Sequence, residues 1–191
     1  MGEKGASPQP TLMVITGLPG TGKSTVADQA AALLMAPVLA HDWAMSGLRP
    51  FGPIQDVLDA MRPPGHQPVG WSILCALARA QIRRGSSVVL DGVARAPTVD
   101  RCRQVASEEG ARFLIVLTEC DDSEIHRSRV ESRQRSIPDW YELDWDRVQS
   151  SRADWNPPHP VDLTLRATDS VARNSELLNV LIHEAGHGPS D

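Results

Sequence analysis

Short apolar runs alternate with amphipathic segments along most of the chain. Apolar runs predict five buried strands, at residues 11–16, 37–40, 87–90, 112–117 and 161–165. Between and after them, apolar residues recur at helical spacing, at 24–35, 53–62, 71–84, 97–109, 122–135 and about 170–184. Strands that alternate with helices in this way predict an α/β fold, with a parallel sheet covered by helices on both faces.

Two stretches lack a clear period. Residues 63–70 are rich in proline and glycine, which predicts a loop. Residues 136–160 hold Trp140, Tyr141, Trp145, Trp155 and several prolines, and we interpret them as an irregular lid or substrate loop. The tryptophans there are either packing anchors or ligand contacts. We expect one domain over 11–185, with a lid at about 122–160 and flexible ends at 1–10 and 186–191.

One motif stands where the first strand meets the first helix. Residues 17–24 fit the pattern G-x-x-x-x-G-K-[ST] of a phosphate-binding loop (P-loop). Lys23 is predicted to reach the β- and γ-phosphates of ATP, and Ser24 to ligate Mg²⁺. The helix N-terminus adds its own attraction for anions. The predicted nucleotide contacts are Gly17, Leu18, Pro19, Gly20, Thr21, Gly22, Lys23, Ser24 and Thr25.

Two carboxylates follow other strands directly, so the topology predicts that they share one crevice with the P-loop. Asp91 is a candidate Mg²⁺ ligand opposite Ser24, or it caps a turn. Asp42 is a candidate to accept the proton of an acceptor hydroxyl, or it only binds substrate or caps a turn. Arg95 is either a phosphate or carboxylate contact or a surface side chain, and His41 is a weaker candidate base.

The predicted helix over 122–135 carries four arginines. Arg129 and Arg133 are one turn apart, so we expect them to share a face. A cationic face that closes over ATP neutralises the charge that develops on a transferred phosphoryl group. The alternative is a solvated helix whose arginines pair with Glu124 and Glu131.

Composition narrows the classes of function. A net charge of −5 and a pI near 5.7 argue against a broad nucleic-acid surface, although a narrow basic groove stays open. No apolar run approaches the ~20 residues of a membrane span, and the polar start does not resemble a signal peptide. Cys75, Cys102 and Cys120 form no C-x-x-C pair, which favours buried free thiols in the cytoplasm over a zinc site.

These residues together resemble the small P-loop kinases, which include adenylate kinase, gluconate kinase, chloramphenicol phosphotransferase, zeta toxin and the polynucleotide kinases. Residues 90–95, Leu-Asp-Gly-Val-Ala-Arg, are similar to the Leu-Asp-Gly-x-x-Arg of adenylate kinases. Asp42 matches the catalytic acid of the chloramphenicol phosphotransferase and zeta-toxin-like members, and Arg129 and Arg133 are similar to lid arginines. Several relatives carry an arginine soon after that acid; here Trp43 and Ala44 follow, which leaves Arg49 as the candidate.

The resemblance implies a three-layer α/β/α fold whose five-stranded parallel sheet has the order 2-3-1-4-5, with an arginine-bearing lid. It also implies an adenine pocket near Ala167, Thr168 and Asp169. We therefore expect a kinase that moves the γ-phosphate of Mg-ATP to a hydroxyl of a small molecule. The alternatives are a nucleotide or polynucleotide 5′-kinase, which the acidic charge supports poorly, and a non-catalytic ATP-binding module. Neither the acceptor nor the oligomeric state is readable from the sequence.

The predicted roles divide among a few side chains. Catalysis is assigned to Lys23, Asp42, Arg129 and Arg133, with Arg129 also contacting the nucleotide. Substrate binding is assigned to Asp42, Arg49, Asp91 and Arg95, and Mg²⁺ to Ser24 and Asp91.

Overall fold

A five-stranded sheet forms the middle layer of the protein. The computed structural model describes residues 9–61 and 67–184. The strands have the order β2-β3-β1-β4-β5, and every neighbouring pair is parallel, which confirms the predicted topology. They are β1 (Thr11–Gly17), β2 (Val38–Ala40), β3 (Val88–Asp91), β4 (Arg112–Glu119) and β5 (Leu163–Arg166).

Helices cover both faces of the sheet. Those in the described residues are α1 (Lys23–Leu34), α2 (His41–Ser46), α3 (Gly52–Ala60), α4 (Gln67–Ile82), α5 (Ala96–Glu108), α6 (Ser123–Glu131), α7 (Trp145–Ala153) and α8 (Val171–Glu184). Alternate residues of β1 supply the two halves of the core, as the period of a strand requires. Leu12 and Val14 pack with α4 and α5, whereas Met13 and Ile15 pack with α1 and α8.

The strand register brings three chain segments to one edge of the sheet. Ile15 and Ala40 both pair with Asp91 in the parallel ladders. The P-loop after β1, the start of α2 after β2 and the end of β3 therefore lie side by side. This is the edge at which ligands bind in open parallel sheets.

Several predicted boundaries are wrong. The helix predicted over 122–135 ends at Glu131, because no apolar residue follows Val130 until Ile137 to hold another turn against the core. The segment 136–160 is not wholly irregular, because it contains α7. That helix is capped by Asp144, which accepts a hydrogen bond from the Arg147 backbone (2.8 Å), and it buries only Val148.

Two further differences lie near the sheet edge. Residues 41–43, predicted as the end of a strand, begin α2. Residues 67–70 belong to the first turn of α4, where a proline is tolerated. A Cβ on Gly70 would lie 2.4 Å from His41 Nε2, so only glycine lets α4 approach α2 this closely. The rest of that predicted loop, 63–66, lies outside the described residues.

The helix predicted over 53–62 forms as α3, but most of its predicted apolar face is exposed. Leu58 alone is buried, while Ile54, Val57 and Met61 are exposed. The three cysteines are free and buried, as predicted. No described helix is long and apolar enough to cross a membrane. The predicted flexible ends fall mostly outside the described residues, and the single-domain assignment stays a prediction.

Candidate nucleotide and acceptor site

The P-loop curls tightly because two of its glycines have no room for a side chain. A Cβ on Gly17 (φ +145°) would lie 2.2 Å from the Thr118 carbonyl oxygen. A Cβ on Gly20 (φ +86°) would lie 2.6 Å from Val130 Cγ2 on α6. The Thr21 hydroxyl closes the curl, because it donates a hydrogen bond to the Leu18 carbonyl (2.7 Å). The loop is thus fixed between β4 and α6.

The end of this loop presents positive groups to the open edge. Gly22 precedes α1 in a left-handed conformation, and no side chain caps the N–H groups of the first turn. Lys23 is buried, and its Nζ donates a hydrogen bond to the Leu18 carbonyl (2.9 Å). Burial lowers the pKa of Lys23 to about 8, although the negative charge of Asp91 opposes the shift. Uncapped N–H groups and a buried amine are the elements of a phosphate site.

Ser24 and Asp91 meet across the loop. The Ser24 hydroxyl donates a hydrogen bond to Asp91 Oδ2 (2.9 Å). Asp91 Oδ1 is buried and has no hydrogen-bond partner among the described residues. Burial raises the pKa of Asp91, with Lys23 acting in the opposite direction. A hydroxyl and a carboxylate with an unused buried oxygen fit Mg²⁺, which prefers oxygen ligands and keeps some of its waters.

A cavity of about 400 Å³ extends from the P-loop toward β5. Arg129 lines it and donates a hydrogen bond from Nη2 to the Ala167 carbonyl (2.6 Å). Ala167 and Asp169, from the predicted adenine pocket, also line it, whereas Thr168 does not. We call this space the donor cavity.

A larger cavity of about 1190 Å³ lies on the other side of the P-loop, beyond the ends of β2 and β3. Asp42, Asp91 and Arg95 line it together with residues of α7 and of the segment before it. We call this space the acceptor cavity. Lys23, Ser24 and Arg133 line both cavities, so the two spaces meet at these three side chains.

Asp42 stands in the first turn of α2 and is held from two sides. Its Oδ2 pairs with Arg135, and its Oδ1 lies 3.3 Å from His41 Nδ1. Burial alone would raise the pKa of Asp42, but the hydrogen bond from His41 and the charge of Arg135 outweigh it and hold the pKa below its ordinary value. Arg135 in turn pairs with Glu142 (3.2 Å) and donates to the Tyr141 carbonyl. The carboxylate is therefore ionised at neutral pH and faces the acceptor cavity.

The predicted arginines are placed differently from expectation. Arg133 is not on a helical face with Arg129, because α6 ends before it, yet both line the donor cavity. Burial and the charge of Arg135 lower the pKa of Arg133. Arg95 lines the acceptor cavity and donates to the Asp154 carbonyl (2.5 Å). Arg49 lines neither cavity; its guanidinium lies 5.3 Å from the centre of the Trp140 ring.

Two residues that support the site were not predicted. One of them is His126 on α6, which is fully buried. Its Nε2 lies 2.6 Å from the Pro19 carbonyl oxygen, and its Nδ1 lies 2.7 Å from Arg152 Nη2. Its ring makes an edge contact with the ring of Trp145. It thus ties the P-loop to α6 and α7. The sequence signal for a buried His126 is its position four residues before Val130, because residues at this spacing share one face of a helix and both are buried here. For Arg135, the sequence gives no signal beyond its place among the four arginines of 122–135.

Comparison with known proteins agrees with this architecture. The family model described as AAA domain, AAA_33, matches residues 12–158. No curated protein matches this sequence. A gluconokinase from Sinorhizobium meliloti 1021 superposes with a TM-score of 0.65 at 16% identity, over 94% of each chain. A sugar kinase from Janibacter sp. HTCC2649 gives 0.63 at 16%, over 92% of this chain and 95% of that one.

A third solved structure, the Mycobacterium tuberculosis APS kinase CysC in complex with AMPPNP and APS, gives a TM-score of 0.60 at 20% identity, over 92% of this chain and 99% of that one. All three are kinases by description, and at these identities the likeness concerns the fold. The fold is the three-layer arrangement of the small P-loop kinases.

Proposed function

We propose that this chain, which belongs to the AAA_33 family of AAA domains, transfers the γ-phosphoryl group of Mg-ATP to a hydroxyl of a small molecule. One observation carries the proposal: Lys23, Ser24 and Arg133 line both the donor and the acceptor cavity. A phosphoryl group that leaves a nucleotide in the first cavity therefore passes these side chains to reach an acceptor in the second. Positioning and charge stabilisation of this kind supply most of the catalysis of phosphoryl transfer.

On the donor side, the N–H groups at the start of α1 bind the phosphates, and Lys23 exchanges the Leu18 carbonyl for β- and γ-phosphate oxygens. Ser24 and Asp91 would hold Mg²⁺, Asp91 directly or through water, and the ion would supply charge neutralisation beside the phosphates. Arg129 and Arg133 approach from the α6 side and offset the negative charge that grows on the transferred group. Ala167 and Asp169 contribute to the wall against which the base lies.

On the acceptor side, Asp42 orients the hydroxyl and accepts its proton as the oxygen attacks. The new bond joins the acceptor oxygen to the γ-phosphorus, and the bond from that phosphorus to the β,γ-bridging oxygen breaks, which releases ADP. Because the pKa of Asp42 is lowered, the carboxylate is ionised at neutral pH and acts as an orienting acceptor and a weak base. Its two neighbours, Arg135 and His41, fix the direction in which it points.

The test is a measurement of acceptor-dependent ADP release and of product mass with a panel of hydroxyl compounds. Lys23→Ala should abolish transfer. Asp42→Asn should lower kcat by about 10²–10⁴-fold while Mg-ATP binding is kept. Asp56→Asn on exposed α3 is the matched control and should behave as the wild type. A near-normal kcat for Asp42→Asn removes the assigned role of that carboxylate.

The same assay separates the alternative functions. A non-catalytic module would bind Mg-ATP and show no turnover with any acceptor. A polynucleotide 5′-kinase would transfer phosphate to an oligonucleotide in preference to small molecules. We favour a small acceptor because the chain has a net charge of −5, which is unfavourable for a polyanion.

A further inference from the structure

The aromatic side chains of this protein are concentrated in one place. The whole chain has five Trp, one Tyr and two Phe. Half of these rings line the acceptor cavity, namely Trp43, Trp140, Tyr141 and Trp155. We infer that the acceptor carries a planar aromatic or heteroaromatic ring beside its hydroxyl, and that Trp43 stacks against that ring. The inference rests on the proposed function and names the substrate class of the same site.

Packing within the core does not account for the ring of Trp43. Trp71 is the tryptophan of the core, with 2% of its surface exposed. Trp43, in contrast, is 55% exposed, although it stands in a well-formed helix directly beside Asp42. An exposed ring of this size contributes little to the core and leaves apolar surface in water. A planar ligand that covered it would recover that surface.

Two of the other rings, Trp140 and Tyr141, are held by each other and by neighbouring arginines. Trp140 and Tyr141 stack with ring centres 4.8 Å apart and an angle of 27° between planes. The guanidinium of Arg147 lies 4.7 Å from the centre of the Tyr141 ring, and that of Arg49 holds Trp140 from outside the cavity. Rigid aromatic surfaces bind flat ligands at a low cost in conformational entropy.

Polar side chains share the acceptor cavity with the rings, and the arginine beside Asp42 is already engaged within the protein. Arg135 is bonded to Asp42, Glu142 and the Tyr141 carbonyl. Arg95 is bonded to the Asp154 carbonyl through Nη1, and its buried Nε has no partner among the described residues. A ring-bearing alcohol needs only a partner for its hydroxyl, which Asp42 supplies, and apolar faces for the rest.

Binding and turnover of three probes test the inference: 3-phenyl-1,2-propanediol, adenosine and gluconate. Each probe is titrated by tryptophan fluorescence and calorimetry into protein saturated with a non-hydrolysable ATP analogue and Mg²⁺, so that adenosine cannot occupy the donor cavity. We expect one or both ring-bearing probes to bind and to become phosphorylated with ATP, and gluconate to do neither.

Trp43→Ala should weaken binding of the ring-bearing probe by about tenfold, the effect of losing one stacked ring, and Trp43→Phe should restore most of it. Phe51→Ala is the matched control, because Phe51 is 57% exposed and does not line the cavity. All three variants should keep the wild-type melting temperature and affinity for the ATP analogue, since both rings are exposed.

Three results would overturn the inference and leave the proposed kinase intact: gluconate accepts phosphate more efficiently than both ring-bearing probes, Trp43→Ala binds them as Phe51→Ala does, or neither binds at about 10 mM while the analogue is bound. If the analogue itself fails to bind, the proposed function fails first, and the inference fails with it.

Discussion

His126 offers the sharpest test of how the phosphate loop is held. The residue is fully buried on α6, where Nε2 faces the Pro19 carbonyl and Nδ1 faces Arg152. A carbonyl accepts and a guanidinium donates, so the neutral ring with its proton on Nε2 satisfies both neighbours. His126→Phe keeps a ring of similar shape and removes both hydrogen bonds.

The loss in the free energy of unfolding of His126→Phe follows from the two groups that the substitution leaves without a hydrogen-bond partner. The Pro19 carbonyl loses its donor, and Arg152 loses its acceptor. A buried group without its partner costs about 1–3 kcal/mol, and Arg152 is only half buried and can reach water. We therefore expect a loss of about 2–3 kcal/mol in the free energy of unfolding. For a domain of this size that lowers the melting temperature by about 4–12 °C.

The same residue predicts a dependence of stability on pH. Burial lowers the pKa of His126 below 6.5, the ordinary value; the bond to Pro19 opposes the shift, and the charge of Arg152 adds to it. Above pH 6.5 the ring is neutral in both the folded and the unfolded chain, and its contribution is fully present. As the pH falls from there to the folded pKa, the unfolded chain takes up a proton that the folded chain does not, so stability is lost.

Urea unfolding of the wild type and of His126→Phe between pH 5 and 8 measures both effects. The variant should be less stable at pH 8, and its stability should fall less steeply than that of the wild type below pH 6.5. His183→Phe, at an exposed position of α8, is the control for introducing the same ring, and its stability at pH 8 should stay close to that of the wild type. Equal stability of His126→Phe and the wild type at pH 8 would refute the assigned anchoring role.

Two further predictions concern the site itself. Lys23 is the only lysine in the described part of the chain, and its pKa is lowered to about 8. An amine-acylating reagent at pH 8 should therefore label Lys23, and bound Mg-ATP should protect it from labelling. Lys4 is the internal reference, and labelling of Lys23 that Mg-ATP leaves unchanged would contradict its phosphate-binding role. Arg135→Met removes a cation that lowers the pKa of Asp42, so the acid limb of the kcat profile should move to higher pH; an unmoved limb means that Asp42 does not titrate in the reaction.

The sheet and the P-loop could be predicted because each depends on local pattern. Apolar runs such as Ser-Val-Val-Leu at 87–90 allow few structures other than a buried strand, and parallel strands bring their carboxyl ends together. The same reasoning predicts that Ser24, Asp42 and Asp91 lie around one crevice. In the structure all three line the acceptor cavity, and Ser24 is hydrogen-bonded to Asp91.

The segment after Val130 could not be predicted in the same way, because long-range contacts decide it. Arg133 and Arg135 fit a continued helix by spacing, but the chain turns away where no apolar residue follows. Arg135 then reaches Asp42 across 93 positions of sequence, a pairing that carries no local signal. Helix α7 buries a single side chain, so its amphipathic pattern is too weak to detect.

The measurement that tests the central claim most directly is mass spectrometry of a mixture of hydroxyl compounds, ring-bearing alcohols and polyols included, after incubation with the protein and Mg-ATP. The account predicts that at least one compound gains a single phosphoryl group as ADP appears, and that Lys23→Ala gives no such product. Mg-ATP that binds while no compound gains phosphate, or an equal yield from Lys23→Ala, would contradict it.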